Sequence, residues 1–178
     1  MWQTITQLAL TTSLFPLLAW RWDGQPELFV VSALTVTAVP LAVIDARTGK
    51  LPNWLMLTAY IGVASTAAVS TFVNQTPAVV VRALTGMLII LAFYGTLYAL
   101  FPGQLGGGDV KLGGLLGFVL CSAGWSTLLT GTLLGWGLAA VAQLILRAAG
   151  RVTRHSSLPV GPFLITGALV ALLTDTTA

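Results

Sequence analysis

The sequence predicts an all-α fold, a polytopic integral membrane helical bundle with about seven transmembrane helices. Three observations predict it: the composition, the scarcity of charge and the length of the apolar runs. Hydrophobic residues make up 56% of the 178 residues and charged residues 7%, whereas about a quarter of an ordinary soluble domain is charged. So few charges cannot cover a soluble globule, which excludes a cytosolic enzyme, a disordered linker and a nucleic-acid-binding domain. We therefore expect membrane lipid to surround the protein.

Seven apolar runs approach the roughly 20 residues that a helix needs to cross about 30 Å of hydrocarbon. In order along the chain they lie at about 3–20, 28–44, 54–73, 78–100, 106–124, 126–146 and 159–174. The first has no preceding basic residue and no small-x-small cleavage site, so we expect a retained helix rather than a signal peptide. We therefore expect a single membrane domain over residues 1–178, with residues 1–20 as an extra N-terminal helix.

Local features indicate where some of these helices begin and how they pack. Pro52 and Asn53 are expected to start the third helix, with Asn53 as its cap, and Pro159 suits the start of the seventh. Glycines at GxxxG spacing allow helix backbones to approach closely. They occur in the fifth and sixth runs, at Gly113 and Gly117 and at Gly131 and Gly135.

The basic residues predict the orientation of the bundle. Six of them fall in the second, fourth and sixth loops: Arg47, Lys50, Lys111, Arg147, Arg151 and Arg154. Two, Arg21 and Arg82, lie in or beside odd loops. Because positively charged loops remain in the cytoplasm, we expect a multi-pass protein of the inner (plasma) membrane with its N-terminus in the cytoplasm and its C-terminus outside.

Two of the five acidic residues, Asp45 and Asp109, stand at the edges of apolar runs. A carboxylate near lipid is costly and usually has a functional reason. By contrast, Asp23, Glu27 and Asp175 lie in polar stretches typical of solvated charges. Since Asp45 and Asp109 both flank even loops, they lie on the same side of the membrane and could meet.

The fifth run is short, which places Asp109 inside the membrane boundary. The stretch Leu112–Cys121 covers only about 15 Å of helix, so the helix must begin near Gly106, while Lys111 extends back to water. Gly106 and Gly108 are expected to let another backbone approach Asp109 closely. The alternative is an ordinary glycine-rich loop in which Asp109 caps the helix.

Two carboxylates at this depth are suited to acid–base chemistry. Like charges a few ångströms apart cannot both ionise cheaply, so the pair shares one proton. The ionised member can take a proton from water as it attacks a peptide carbonyl, and the protonated member can donate to the carbonyl oxygen. The sequence lacks the residues that a metal or serine mechanism needs, because the chain has one cysteine, Cys121, and one histidine, His155. We expect no metal ion and no cofactor.

Three stretches of this sequence resemble motifs of the type IV leader peptidase family, the GxGD-type aspartic membrane proteases that include the prepilin peptidases. Gly106–Lys111 (GGGDVK) matches the GxGD motif. Asp45–Arg47 followed by Leu51–Asn53 resembles the stretch around the other catalytic aspartate of the family. Leu158–Leu164 is similar to the Pro/Gly/Phe motif that opens the last helix. The resemblance covers about 41–173, the peptidase-like core.

The resemblance implies a short-form prepilin peptidase without the methyltransferase region, since this chain lacks the length and paired cysteines of the larger members. It implies that Asp45 and Asp109 are catalytic, with Gly106, Gly108 and Lys111 supporting them. The implied partner is a prepilin or pseudopilin of type IV pilus assembly or protein secretion. Such a substrate has a short basic leader, a cut after a small residue, usually Gly, and a hydrophobic helix beyond it.

Two other functions are compatible with the same residues. One is an ion or proton-coupled membrane transporter in which Asp45 and Asp109 are relay groups. The outer halves of the predicted spans contain no acidic residue, which counts against a relay. The other is a noncatalytic assembly subunit, and cleavage by the purified protein distinguishes it from a peptidase.

Overall fold

The computed structural model describes residues 28–49, 51–101, 105–150 and 159–174, together with Pro16 and Trp20. These ranges contain six α-helices and no strand: α1 Leu28–Thr48, α2 Asn53–Asn74, α3 Pro77–Leu100, α4 Gly107–Ala123, α5 Trp125–Ala148 and α6 Gly161–Thr174. The all-helical fold class is confirmed. The first predicted run, at 3–20, lies almost entirely outside the described residues, so a count of seven stays a prediction.

Four of the helices are long and apolar enough to cross a membrane. They are α1 from Val30 onward, α2, α3 and α5, with mean hydropathy between 1.5 and 2.0. Large apolar side chains lie on their outer faces: Phe72 of α2 is 81% exposed and Leu133 of α5 is 71% exposed. Contiguous apolar surface of this extent is unfavourable in water and stable against lipid. The chain is therefore a membrane helical bundle.

Helix α4 lies at the centre of the bundle, in contact with α1, α2, α3, α5 and α6. Every residue from Leu112 to Ser122 is buried. Burial all round a helix indicates that other helices surround it on every side. At 17 residues, or about 25 Å of helix, α4 is shorter than α1, α2, α3 and α5 and longer than α6.

Glycines allow two helix pairs to pack backbone against backbone, as the GxxxG spacing predicts. A Cβ atom on Gly117 of α4 would lie 3.0 Å from the carbonyl oxygen of Gly86 in α3. A Cβ atom on Gly167 of α6 would lie 2.6 Å from the Cα atom of Gly135 in α5. Any larger residue would push the backbones apart. Close packing without a hydrophobic driving force is the usual way that helices associate in lipid.

Arg82 of α3 holds the C-terminal end of α4. Its guanidinium group donates to the carbonyl oxygens of Cys121 at 2.8 Å, of Ser122, and of Ala123 at 3.3 Å. Carbonyl oxygens in the last turn of a helix receive no hydrogen bond from an N–H group of that helix. A cation is also favourable there, at the negative end of the helix dipole. Arg82, predicted as a charge beside an outer loop, is thus a bridge between α3 and α4.

Three contacts bring the end of α1 and the starts of α2, α4 and α6 together. Asp45 accepts a hydrogen bond from Gly161, Leu51 packs against Gly108, and Lys111 of α4 donates to the first residue of α2. We call this part of the bundle the aspartate end. The α2–α3 and α4–α5 connections form the opposite end.

Candidate active site

Asp45 lies in the last turn of α1, with its side chain only 3% exposed although the next four residues are exposed. The helix ends at Thr48 because Gly49 adopts the left-handed conformation, with φ of 58°. The N–H of Gly49 donates to the Asp45 carbonyl oxygen at 2.8 Å, a common way to close a helix. The helix therefore extends four residues beyond the predicted run 28–44. Asp45 is one turn inside it.

Gly161, the first residue of α6, holds the carboxylate of Asp45. Its backbone N–H donates to Oδ2 at 3.1 Å. A Cβ atom at this position would lie 3.0 Å from the Asp45 Cγ atom and 3.3 Å from Leu112 Cδ2, so only glycine leaves room for the carboxylate. The N–H groups of a first helical turn lack partners within the helix and favour a negative charge.

Asp109 is the third residue of α4 and is 8% exposed. Its Oδ2 atom accepts a hydrogen bond from the Gly106 N–H at 3.1 Å, and its own N–H donates to the Gly106 carbonyl oxygen at 3.0 Å. This reciprocal pair closes the helix start in the manner of a capping box. The helix begins at Gly107, as the length argument predicts. The alternative in which Asp109 is the N-cap is wrong, since Gly106 holds that position.

Helices α1 and α4 bring Asp45 and Asp109 into one cluster, called here the aspartate pair. The two carboxyl groups are close enough to act on each other electrostatically. Each is buried, and each already accepts one backbone N–H. Like charges at short range oppose joint ionisation, so a pair of this kind is suited to sharing one proton.

The glycines before Asp109 have different surroundings. A Cβ atom on Gly108 would lie 3.1 Å from Leu51 Cβ, and one on Gly106 would lie 3.2 Å from Asp109 Oδ2. A Cβ atom on Gly107 would have no neighbour within 4 Å. The expected close approach at Gly108 therefore occurs, but the neighbour is the Leu51 side chain rather than another backbone. Gly106 allows the carboxylate to fold back onto the helix start.

Lys111 is exposed, as expected, and connects α4 to α2. Its ammonium group donates to Asn53 Oδ1 at 2.8 Å, while the Tyr60 hydroxyl donates to the Lys111 carbonyl oxygen at 2.7 Å. Asn53 makes no capping hydrogen bond, because Pro52 is the N-cap of α2. The prediction of Asn53 as a helix cap is wrong, since this side chain instead accepts a hydrogen bond from the Lys111 ammonium group.

The remaining chemistry-bearing residues lie elsewhere. In the part of the chain that the structure describes, no group of three His, Cys, Asp or Glu side chains could hold a metal ion. Cys121 is buried near the far end of α4. His155, Asp23, Glu27 and Asp175 fall outside the described residues.

Sequence comparison identifies one family. The profile of the type IV leader peptidase family matches residues 28–150, about two thirds of the chain. The match begins before the predicted core of 41–173 and ends before Gly161, and it includes both Asp45 and Asp109. No curated protein and no solved structure matches the chain.

Proposed function

We propose that this chain, which belongs to the type IV leader peptidase family, is an aspartic endopeptidase that cleaves the leader of type IV prepilin-like substrates. Membership of the family and the apolar helices make it a membrane protease. One observation carries the aspartic type: two buried carboxyl groups, Asp45 and Asp109, interact at one end of the bundle.

In the proposed reaction, one member of the aspartate pair is ionised and the other protonated. The ionised carboxylate takes a proton from water as the water oxygen attacks the scissile carbonyl carbon, and the protonated carboxyl donates its proton to the carbonyl oxygen. The tetrahedral intermediate then collapses, the C–N bond breaks and the amine leaves with a proton from the pair. Burial strengthens these interactions, because few waters compete for the charges.

The position of the aspartate pair supports a substrate that is itself inserted in the membrane. Both carboxyl groups lie near the ends of apolar helices, where we expect a membrane helix to leave lipid. A preprotein with a basic leader, a small residue and one apolar helix would place its cleavage site at this depth. We further propose, from the basic loops, that the aspartate end faces the cytoplasm in the inner membrane.

The described residues favour hydrolysis over transport. Asp45 and Asp109 are the acidic residues of the described ranges, and both lie at the aspartate end. The charged side chain at the opposite end, Arg82, is bound to backbone carbonyls. A proton relay needs titratable groups along the path. Within the described helices, no acidic residue lies between the two ends.

Co-expression with a substrate tests the proposal. The substrate is a preprotein with a short basic leader, a Gly at the cleavage site and one apolar helix, in cells without their own leader peptidase. We expect a faster-migrating product whose new N-terminus follows the Gly, with no product from Asp45→Asn and normal processing by Asp23→Asn. A wild-type chain that accumulates in the membrane and processes no such preprotein overturns the proposal.

A further inference from the structure

Tyr94 is a buried phenol beside the aspartate pair. It lies on α3 and is 2% exposed. Its ring packs on α4 at Gly113, where a Cβ atom would lie 2.6 Å from the Tyr94 Cε2 atom. Gly113 is four residues, or one helical turn, beyond Asp109, so the Tyr94 ring packs about one turn of α4 away from this carboxyl group. A glycine on α4 thus allows the ring of a tyrosine on α3 to pack one helical turn from Asp109.

Trp136 of α5 fixes the direction of this hydroxyl group. Its indole N–H donates to the Tyr94 hydroxyl oxygen at 2.9 Å. The two rings stack with centroids 5.9 Å apart and an interplanar angle of 13°, and Phe93 packs edge-on against both. Two stacked rings joined by a hydrogen bond have little rotational freedom, so the phenol is held in one orientation.

Within the described part of the bundle, the Tyr94 hydroxyl group accepts a hydrogen bond but donates none. The bond from Trp136 occupies a lone pair of the oxygen and leaves the O–H free to donate. Tyr60 offers a contrast, because its hydroxyl also meets α4 but donates to the Lys111 carbonyl oxygen. Of these two phenols, Tyr94 is the one with a proton available near the aspartate pair.

We propose that Tyr94 is a positioning residue for Asp109, an inference that rests on the proposed peptidase function. Its O–H donates to the Asp109 carboxylate when the substrate is bound and holds it facing Asp45. Gly106 already holds Oδ2, and a second donor restricts the rotation of the carboxyl group. Trp136 acts on Asp109 only indirectly, because its N–H orients the Tyr94 phenol.

Steady-state kinetics of the purified chain with a prepilin-like peptide test this role. Tyr94→Phe keeps the ring and removes the hydroxyl group. We expect kcat to fall by about 10- to 100-fold, the usual cost of losing a hydrogen bond to a charged group, with KM unchanged. Tyr98→Phe, on the same helix and 49% exposed, is the matched control and should retain the kcat of the wild type.

A double variant separates positioning from stability. Tyr94→Phe alone leaves the Trp136 N–H without its acceptor, whereas Tyr94→Phe with Trp136→Phe removes both partners, which restores much of the lost stability. We expect the double variant to recover thermal stability and to keep the low kcat. Recovery of kcat together with stability, or a Tyr94→Phe kcat within twofold of wild type, overturns the inference. If the wild-type chain itself cleaves no substrate, the proposed function fails. The inference about Tyr94 then fails with it, and this outcome is distinct from the two above.

Discussion

At the scale of single residues, backbone N–H groups from helix starts hold both members of the aspartate pair. Gly161 donates to Asp45 and Gly106 donates to Asp109, each at 3.1 Å. A buried carboxylate is costly without hydrogen bonds, and these donors have no acceptor within their own helices. In both cases the donor is a glycine, so no side chain lies between the backbone and the carboxyl group.

Gly161→Ala should disable the site without preventing membrane insertion. The added methyl group would lie 3.0 Å from Asp45 Cγ, so the carboxyl group must move away from its present position. A displacement of about 1 Å at a reacting group can lower the rate by about 100-fold. We expect a loss of this size in leader cleavage, measured per amount of membrane-inserted protein.

Gly107→Ala is the matched control, because it makes the same chemical change at the start of another helix at the aspartate end. A Cβ atom there would meet nothing within 4 Å, so cleavage should stay at the wild-type level. If both alanine variants cleave equally well, the contact between Gly161 and Asp45 has no part in catalysis.

The sequence identifies Asp45 and Asp109 because charge is so sparse that an acidic residue at an apolar edge is conspicuous. Gly161 and Tyr94 are harder to find. Glycine has no side chain to indicate a hydrogen bond, and the tyrosine acquires its position through packing against Gly113. Contacts between helices far apart in sequence depend on tertiary packing, which a hydropathy pattern does not encode. The catalytic roles themselves stay predictions.

At the scale of helices, the apolar runs predict the six described helices closely, but their ends follow from backbone conformation. The run 28–44 becomes a helix to Thr48, because Ala46, Arg47 and Thr48 stay helical and Gly49 takes a positive φ. The short, glycine-rich run at 106–124 becomes the central helix. Its glycines let α2 and α3 approach closely, which helps to explain why the least continuous run is the most buried.

Gly86→Ala should destabilise the pairing of α3 with α4. A Cβ atom at Gly86 would lie 2.9 Å from the Gly117 carbonyl oxygen and 2.7 Å from Cys121 Sγ. Overpacking of this kind costs about 1–3 kcal/mol. We expect a lower melting temperature of the detergent-solubilised protein.

Gly95→Ala, on the same helix, provides the comparison. A Cβ atom at Gly95 would have no neighbour within 4 Å, and alanine is the better helix former. This variant should melt at or above the wild-type temperature. A Gly86→Ala protein as stable as Gly95→Ala would contradict the close packing of α3 and α4.

At the scale of the whole molecule, composition alone predicts a membrane bundle, and the exposed apolar faces agree with it. The orientation is a further prediction, which single cysteines can test. In intact cells a membrane-impermeant maleimide should label Asn74→Cys, at the opposite end, and should label Gly107→Cys only after permeabilisation. The native Cys121 is buried and should stay unlabelled. The reverse pattern would place the aspartate end outside the cell.

The central claim is that Asp45 and Asp109 form one catalytic unit, and kcat of the purified protein on a prepilin-like peptide tests it most directly. Asp45→Asn and Asp109→Asn should each lower kcat by at least about 100-fold. The double variant should lose little more, because residues that act as a unit are not additive. Near-wild-type kcat in either single variant, or a double-variant loss equal to the product of the two single losses, would contradict the claim.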